Sequence, residues 1–293
     1  MATLSLNRLL HIGCATAAAL ALVACNKPAE VPAPTTVASA PAAPAAPASR
    51  VYVVGTDAAY APFESQNEKG EIVGFDIDIV SAIAQKAGIE VKFVNTPWEG
   101  IFNALGQGDR DLLVSSITIT DERKQTMDFS DPYFDANQLI AVAADSKIAR
   151  FADLKPLKVG VQNGTTGDEA VAKLQGKNSP NIKRFESTPL ALKELEAGGV
   201  SAVVADNGVV INYVANNADA KFKTVSDPAF AIEHYGIAVK KGNTELLAKL
   251  NKGLAEIKAD GSYERIRAKY LGGASASGSA PASAAAPAMP ASK

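Results

Sequence analysis

The residue types that could do chemistry in this chain are carboxylates, one arginine in an unusual place, aromatic rings and backbone dipoles. Histidine occurs only as His11 and His234, and cysteine only as Cys14 and Cys25, both near the start. A disulfide framework, a Cys/His zinc site and a Cys-His or Ser-His catalytic unit are therefore excluded for a mature chain, and no metal or cofactor is expected. Arg123 falls in the first turn of a short helix expected after Thr120. A cation there opposes the helix dipole at a cost of ~0.3–1 kcal/mol, which Asp121 and Glu122 offset in part. The placement makes sense if Arg123 meets an anion; a surface pair with Glu122 is the alternative. Asp206 closes the apolar run Ala202-Val203-Val204-Ala205, at the strand end where open α/β sheets place ligands, although an N-cap for the helix from Asn207 would also use it. Asn163-Gly164-Thr165-Thr166-Gly167 opens another helix, and free N–H groups there form an anion site unless the stretch is an ordinary glycine-rich turn. It lacks the Gly-Lys-Ser/Thr ending of a phosphate loop.

These residues must be held by elements, and the elements are legible. The chain has 293 residues, 47% apolar and 20% charged, enough for a folded protein of one large or two ordinary domains. Of 29 basic and 31 acidic residues, only Arg8, Lys27, Lys293 and Glu30 lie outside residues 50–271, which leaves 26 and 30 there, a net of −4. That balance argues against nucleic-acid binding. Val51–Val54 reads as a strand, and Ile79, Val80, Ile83, Ala84 and Ala87 as one face of a helix that Gly88 terminates. Further strands are expected at 90–94, 111–114, 157–161, 182–185, 202–205 and 235–239. Helices are expected at 98–105, 168–174, 189–196, 207–215, 244–260 and 263–270. Alternation of this kind implies parallel sheets covered on both faces, in two α/β lobes. A return of the last third to the first lobe would make two crossings, near 133–137 and 231–235, and hence a hinge.

The ends differ in character. Residues 1–24 read as a secretory signal with Arg8 ahead of an apolar stretch, Leu9–Ala24, whose 16 residues fall short of the ~20 that span a bilayer. Leu22-Val23-Ala24-Cys25 resembles a bacterial lipobox, with Cys25 as the lipidated residue. Residues 25–49 are Ala/Pro-rich and read as an extended tether; residues 272–293 read as a disordered Ala/Ser/Pro tail.

Five ordered motifs carry a resemblance. Ala58-Ala59-Tyr60-Ala61-Pro62-Phe63-Glu64, Gly74-Phe75-Asp76-Ile77-Asp78, Ile117-Thr118-Ile119-Thr120-Asp121-Glu122-Arg123, Asp128-Phe129-Ser130-Asp131-Pro132-Tyr133 and Val159–Gly167 closely resemble the polar amino-acid-binding periplasmic proteins of ABC importers. The resemblance spans Arg50–Leu271 and implies the type II periplasmic-binding-protein fold. Residues 50–134 with 235–271 would form lobe 1, residues 135–234 lobe 2, and two strands the hinge. It implies that Arg123 grips an amino acid's α-carboxylate through a bidentate pair and that Asp206 takes the α-ammonium. The Ser116 carbonyl and Thr118 hydroxyl would meet the ammonium, and the Thr118 N–H with Thr166 the carboxylate, with Thr165 beside them in the ligand site. Tyr60 and Trp98 match aromatic positions that hold the ligand side chain, with Asp57 at its far end; two faces and an acid suit a cationic side chain, at ~0.5–2 kcal/mol per face. Trp98 as core of its helix is the alternative. Gln162 stands where glutamine-binding members carry a lysine; that breaks the glutamine pattern and weakens glutamine, which stays the alternative ligand.

The implied protein is a monomeric, lipid-anchored receptor. It captures a basic amino acid in the periplasm or at the cell surface and delivers it to an ABC permease, with no nucleic-acid partner. An enzyme of the same fold, similar to cyclohexadienyl dehydratases, is the competing reading, and would need Glu64 or Glu99 as a buried acid of raised pKa. Asp76 and Asp78 are read as first-turn residues favoured by the helix dipole, Glu64 as a cap or structural hydrogen-bond partner, His234 as a hinge or surface residue, and Met127 as core.

Overall fold

The computed structural model describes residues 50–272. The leader, Cys25, the tether and the residues after 272 lie outside the described residues, and among the described residues no helix is long and apolar enough to cross a membrane.

Two five-stranded sheets form the frame. In the first, Val51–Thr56 runs parallel to Glu90–Asn95 on one side and to Leu112–Leu113 on the other; Ala238–Lys240 then pairs antiparallel with Leu112–Leu113 and with Met127–Phe129. In the second, Val159–Gln162 is parallel to Ile182–Phe185 and to Ala202–Asp206, while Gln138–Ala143 lies antiparallel between Ala202–Asp206 and Phe222–Val225. Each sheet carries helices, so the fold is α/β with two lobes. The expectation of purely parallel sheets is corrected. Gln138–Ala143 enters the second lobe straight from the hinge, and Ala238–Lys240 re-enters the first the same way. Neither has a crossover helix to reverse its direction, so each runs against its neighbours.

The two passages between lobes pair with each other. Phe134–Ala136 and Glu233–Tyr235 form an antiparallel two-stranded ribbon in the register Glu233↔Ala136, His234↔Asp135, Tyr235↔Phe134. His234 and Asp135 are exposed on it and pair at 2.7 Å. Beneath the ribbon Phe63, Phe75, Phe134 and Tyr235 make edge and stacked contacts with centroids 5.1–5.9 Å apart, the range in which aromatic pairs attract beyond their buried area. Met127 is buried in a smaller cluster with Ile101, Leu105 and Leu113.

Local sequence explains the elements that reach the cleft. Helix Phe75–Ala87 starts at Gly74, whose φ of 146° brings it so close to Phe63 that a Cβ would collide with the Phe63 carbonyl. Only glycine adopts that backbone without strain. Helix Thr166–Gln175 begins two residues earlier than the periodicity suggests, because the Thr165 hydroxyl accepts the Asp168 N–H at 3.2 Å as its N-cap. The Thr120 hydroxyl likewise accepts the Arg123 N–H at 3.1 Å and fixes the start of the short helix Arg123–Thr126.

Helix Thr244–Ala259 lies against Phe75–Ala87 at Gly253, where a Cβ would stand 2.7 Å from the Ile83 carbonyl oxygen. Alanine would gain up to ~1 kcal/mol of helix propensity, but overpacking costs ~1–3 kcal/mol. Gly253→Ala is therefore expected to lower Tm by a few degrees, while Gly106→Ala, which meets open space, leaves it unchanged or slightly raised. Thermal denaturation checks both, and a Tm increase for Gly253→Ala contradicts this packing.

Candidate functional site

The strands of the two sheets point their ends at one another across a shared cavity. From the first lobe it is lined by Asp57, Tyr60, Trp98, Ser115, Ser116, Thr118 and Arg123, and from the second by Gln162, Thr165, Thr166 and Asp206. All ten residues singled out in the sequence thus line one space, and Ser115 joins them. Asp57 follows the strand Val51–Thr56, Gln162 ends Val159–Gln162, and Asp206 ends Ala202–Asp206, which is where α/β sheets present ligand-facing groups.

Asp206 is 7% exposed, and its carboxylate is held entirely by neutral donors. The Tyr60 and Tyr235 hydroxyls donate to Oδ2 at 2.9 and 2.5 Å, and the Gln138 amide donates to Oδ1 at 2.5 Å. It starts helix Asn207–Asn216 but makes no side-chain capping bond, so the capping alternative is not used. Burial first, and the nearby Glu233 second, push its pKa to about 6 against the lowering effect of the three donors.

Arg123 is half-buried. Its guanidinium donates to the Thr118 carbonyl at 2.9 Å and, across the cleft, to the Gly164 carbonyl at 3.4 Å. It lies over the rings of Trp98 and Phe102 with centroids 5.3 and 5.2 Å away. Trp98 packs edge-on to Phe102, so the ring serves the cavity wall and the edge of the core together. Burial lowers the Arg123 pKa, with Glu169, Asp206 and Glu233 acting in the other direction. It forms no ion pair with Glu122 or with any other described residue, and neither does Asp206 or Asp57.

The remaining residues sit as follows. Asp57 accepts the Gln162 amide at 3.3 Å; burial raises its pKa, opposed by Gln162 and by the Trp98 backbone N–H at the start of helix Trp98–Gln107. Gln162 also donates to the Glu186 carbonyl at 3.0 Å and accepts from the Thr188 hydroxyl at 3.1 Å, so its orientation is fixed. Ser116 is buried with φ +48°, a left-handed conformation rare outside glycine. The Thr118 and Thr166 hydroxyls, from opposite lobes, both donate to Glu233 Oε2, at 2.7 and 2.8 Å. Thr165, besides capping its helix, donates to the Gln162 carbonyl at 2.9 Å.

Four residues around the cavity escaped the sequence reading: Ser115, Gln138, Glu233 and Tyr235. Gln138 is the only polar side chain in the run 138–143, and Glu233 is an acid inside the expected second crossing; both were visible signals. Glu64 is fully buried, and burial together with Asp76 and Asp57 pushes its pKa well above the ordinary value. It lies behind Ser115 rather than on the cavity wall, and Glu99 is exposed. The acid needed by the enzyme reading therefore does not face the cavity.

Two α/β lobes, a two-stranded hinge and a charged, neutral-donor-lined cavity between them define a periplasmic-binding-protein type of solute receptor. Residues 52–273 match the bacterial extracellular solute-binding proteins, family 3, and the chain belongs to that family. It is 46% identical over 235 residues to a probable histidine-binding protein of Neisseria gonorrhoeae, covering 80% of this chain and 87% of that one. It is 35% identical to the ABC transporter arginine-binding protein 1 of Escherichia coli, over 72% of this chain and 87% of the relative. The arginine-, lysine-, histidine-binding protein of Geobacillus stearothermophilus superposes with a TM-score of 0.74 at 46% identity, covering 76% of this chain and 96% of that structure.

The Asp206 value of about 6 has a consequence for any ligand that sets an ammonium against it. The folded-state value lies above the unfolded ~3.9, so without ligand the carboxyl is ionised at neutral pH but protonated below about pH 6, where a bound cation must displace that proton. Affinity is expected to be flat from pH 8 to 7 and to weaken by up to tenfold per unit below 6. Calorimetry across pH 5–8 reads this directly, and unchanged affinity at pH 5 contradicts the assigned environment.

Proposed function

We propose that this protein captures a cationic L-amino acid between its lobes, closes over it, and hands it to the permease of an ABC importer in the periplasm. The observation that carries this reading is the set of cleft charges without ionic partners among the described residues. Arg123 belongs to one lobe and Asp206 to the other, so an α-carboxylate and an α-ammonium on one small molecule would neutralise both. Besides Glu233 at the hinge, which Thr118, Thr166 and Gln138 hold by neutral hydrogen bonds, Asp57 leaves a negative charge beside Tyr60 and Trp98, and a guanidinium, ammonium or imidazolium on the ligand side chain would balance it. The relatives named for arginine, lysine and histidine support the same class.

Closure is stabilised by whatever touches both lobes. Bonds already span the cleft from Tyr60 to Asp206, Gln162 to Asp57 and Arg123 to the Gly164 carbonyl, and a zwitterion would add the two charge-assisted pairs. Excluding water strengthens those pairs severalfold over their exposed value. Thr118 and Thr166 would bracket the α-carbon end, with Ser116, Thr165 and Gln162 completing the wall. Delivery needs no chemistry on the ligand, so the protein acts as a receptor and not as an enzyme. Cys25 would carry a lipid, and residues 25–49 would hold the lobes off the membrane as a monomeric domain.

Calorimetry and thermal shift on residues 50–272 with the individual amino acids test the reading. Arginine, lysine or histidine at 100 times its Kd should add ~2.7 kcal/mol of stability, and a panel in which no amino acid binds would falsify it. Asp57→Asn should cost arginine or lysine at least tenfold in affinity and glutamine much less; equal losses remove Asp57 from side-chain recognition. For the anchor, Cys25→Ser in the full chain should abolish incorporation of a labelled fatty acid and shift the protein from the membrane to the soluble fraction, whereas retained labelling places the lipid elsewhere.

A further inference from the structure

Behind the cavity wall lies a pair of acidic side chains with no evident reason to be there. Glu64 and Asp76 are both 0% exposed and sit within hydrogen-bonding reach of each other. They are brought together by the Gly74 contact, through which the Phe75 and Asp76 N–H groups bond the Pro62 and Phe63 carbonyls at 3.0 and 2.9 Å. Each carboxyl uses one oxygen outward. Glu64 Oε1 accepts the Ser115 hydroxyl at 3.0 Å; Asp76 Oδ2 accepts the Tyr133 hydroxyl and the Ser116 N–H, both at 2.7 Å. The other oxygens, Glu64 Oε2 and Asp76 Oδ1, are buried with no donor among the described residues.

Two carboxylates in this position would both be ionised without a counter-ion. The titratable groups that act on them are each other, Asp57, Tyr60, Tyr133 and Tyr263, none of which is a cation. One proton removes the conflict. Asp76 lies in the first turn of helix Phe75–Ala87, whose dipole favours its ionised form, and it already accepts the bonds from Tyr133 and Ser116. Glu64 has only the Ser115 hydroxyl, so the proton belongs on Glu64.

We propose that Glu64 Oε2 carries a proton donated to Asp76 Oδ1, and that this acid–carboxylate pair is the positioning device for the cavity wall of the first lobe. It orients backbone at two lining positions. Through Asp76 it holds the Ser116 N–H, and so the left-handed turn that aims the Ser116 carbonyl. Through Glu64 it holds Ser115, whose Oγ in turn accepts the Asp57 N–H at 3.0 Å. Neither acid reaches the cavity, so both act through Asp57 and Ser116. The positioning role rests on the function proposed above; the shared proton does not.

The proton is tested without ligand. Glu64→Gln keeps an acceptor for Ser115 and a donor for Asp76 but cannot titrate. A carboxyl whose folded-state pKa is raised contributes stability that is present below its unfolded value near 4.5 and is lost as pH rises toward the folded value. Denaturant unfolding should therefore show the folded-to-unfolded ratio of wild type falling relative to Glu64→Gln by up to tenfold per pH unit above 4.5. Parallel profiles from pH 4.5 to 7.5 overturn the shared proton. For positioning, amino-acid affinity should stay within about threefold of wild type in Glu64→Gln and fall at least tenfold in Glu64→Met, which lacks the donor; equal affinities in the two variants overturn that role. If wild type binds no amino acid, the functional reading fails and the pH profiles still decide the pair.

Discussion

The structure is organised around an unsatisfied electrostatic demand: the half-buried Arg123 and the buried Asp206 face one cavity from opposite lobes, with Asp57 on the lobe of Arg123 and no ion pair among them. Removing a single charge from water costs several kcal/mol even after relaxation, a large share of the 5–15 kcal/mol by which a domain is stable at all. The chain tolerates this because neutral groups hold each charge. Asp206 is gripped by two phenol hydroxyls and an amide, and Arg123 by a carbonyl and two aromatic faces. Neutral donors fix a carboxylate in place without cancelling it, so it stays able to attract a cation. Acids elsewhere, nearer the surface, are treated differently: Asp128, Asp153 and Asp260 have their pKa values held down by lysines, arginines or backbone N–H groups.

Topology turns that demand into a mechanism. Because the chain passes between the lobes twice, each lobe keeps its own sheet while the hinge ribbon remains only three residues per strand. Groups of opposite sign sit at strand and turn ends of different lobes, so the molecule that satisfies both must itself carry both signs. Glu233 lies at the hinge, where it accepts hydroxyls from each lobe, and Gln138 ties it to Asp206 at 3.1 and 2.5 Å. The hinge ribbon and the charged cavity therefore share residues.

Much of this was legible in the sequence. Glycine at 74 and 88 and the apolar face between them mark the first helix because their conformations are locally determined. Arg123, Asp206 and Thr166 stand out because each sits at an element end, where side chains and helix dipoles meet. What the sequence does not display is pairing at long range. Tyr60 and Asp206 are 146 residues apart, and Thr118 and Glu233 are 115 apart, so nothing in local pattern announces that they share hydrogen bonds. The antiparallel direction of Gln138–Ala143 and Ala238–Lys240 was hidden for the same reason, since it follows from the hinge rather than from their own residues. Glu64 was readable as a structural partner, but a reason for a proton on it arises only once Asp76 is seen beside it.

The account stands on recognition of both poles of a zwitterion by charges on separate lobes. The most direct test compares affinity for L-arginine with its methyl ester, which lacks the carboxylate, and with its des-amino analogue, which lacks the ammonium. Leaving one buried charge unpaired costs ~2–5 kcal/mol, so each analogue should bind at least about thirtyfold more weakly than the parent. An analogue that binds as tightly as arginine itself would contradict the clamp.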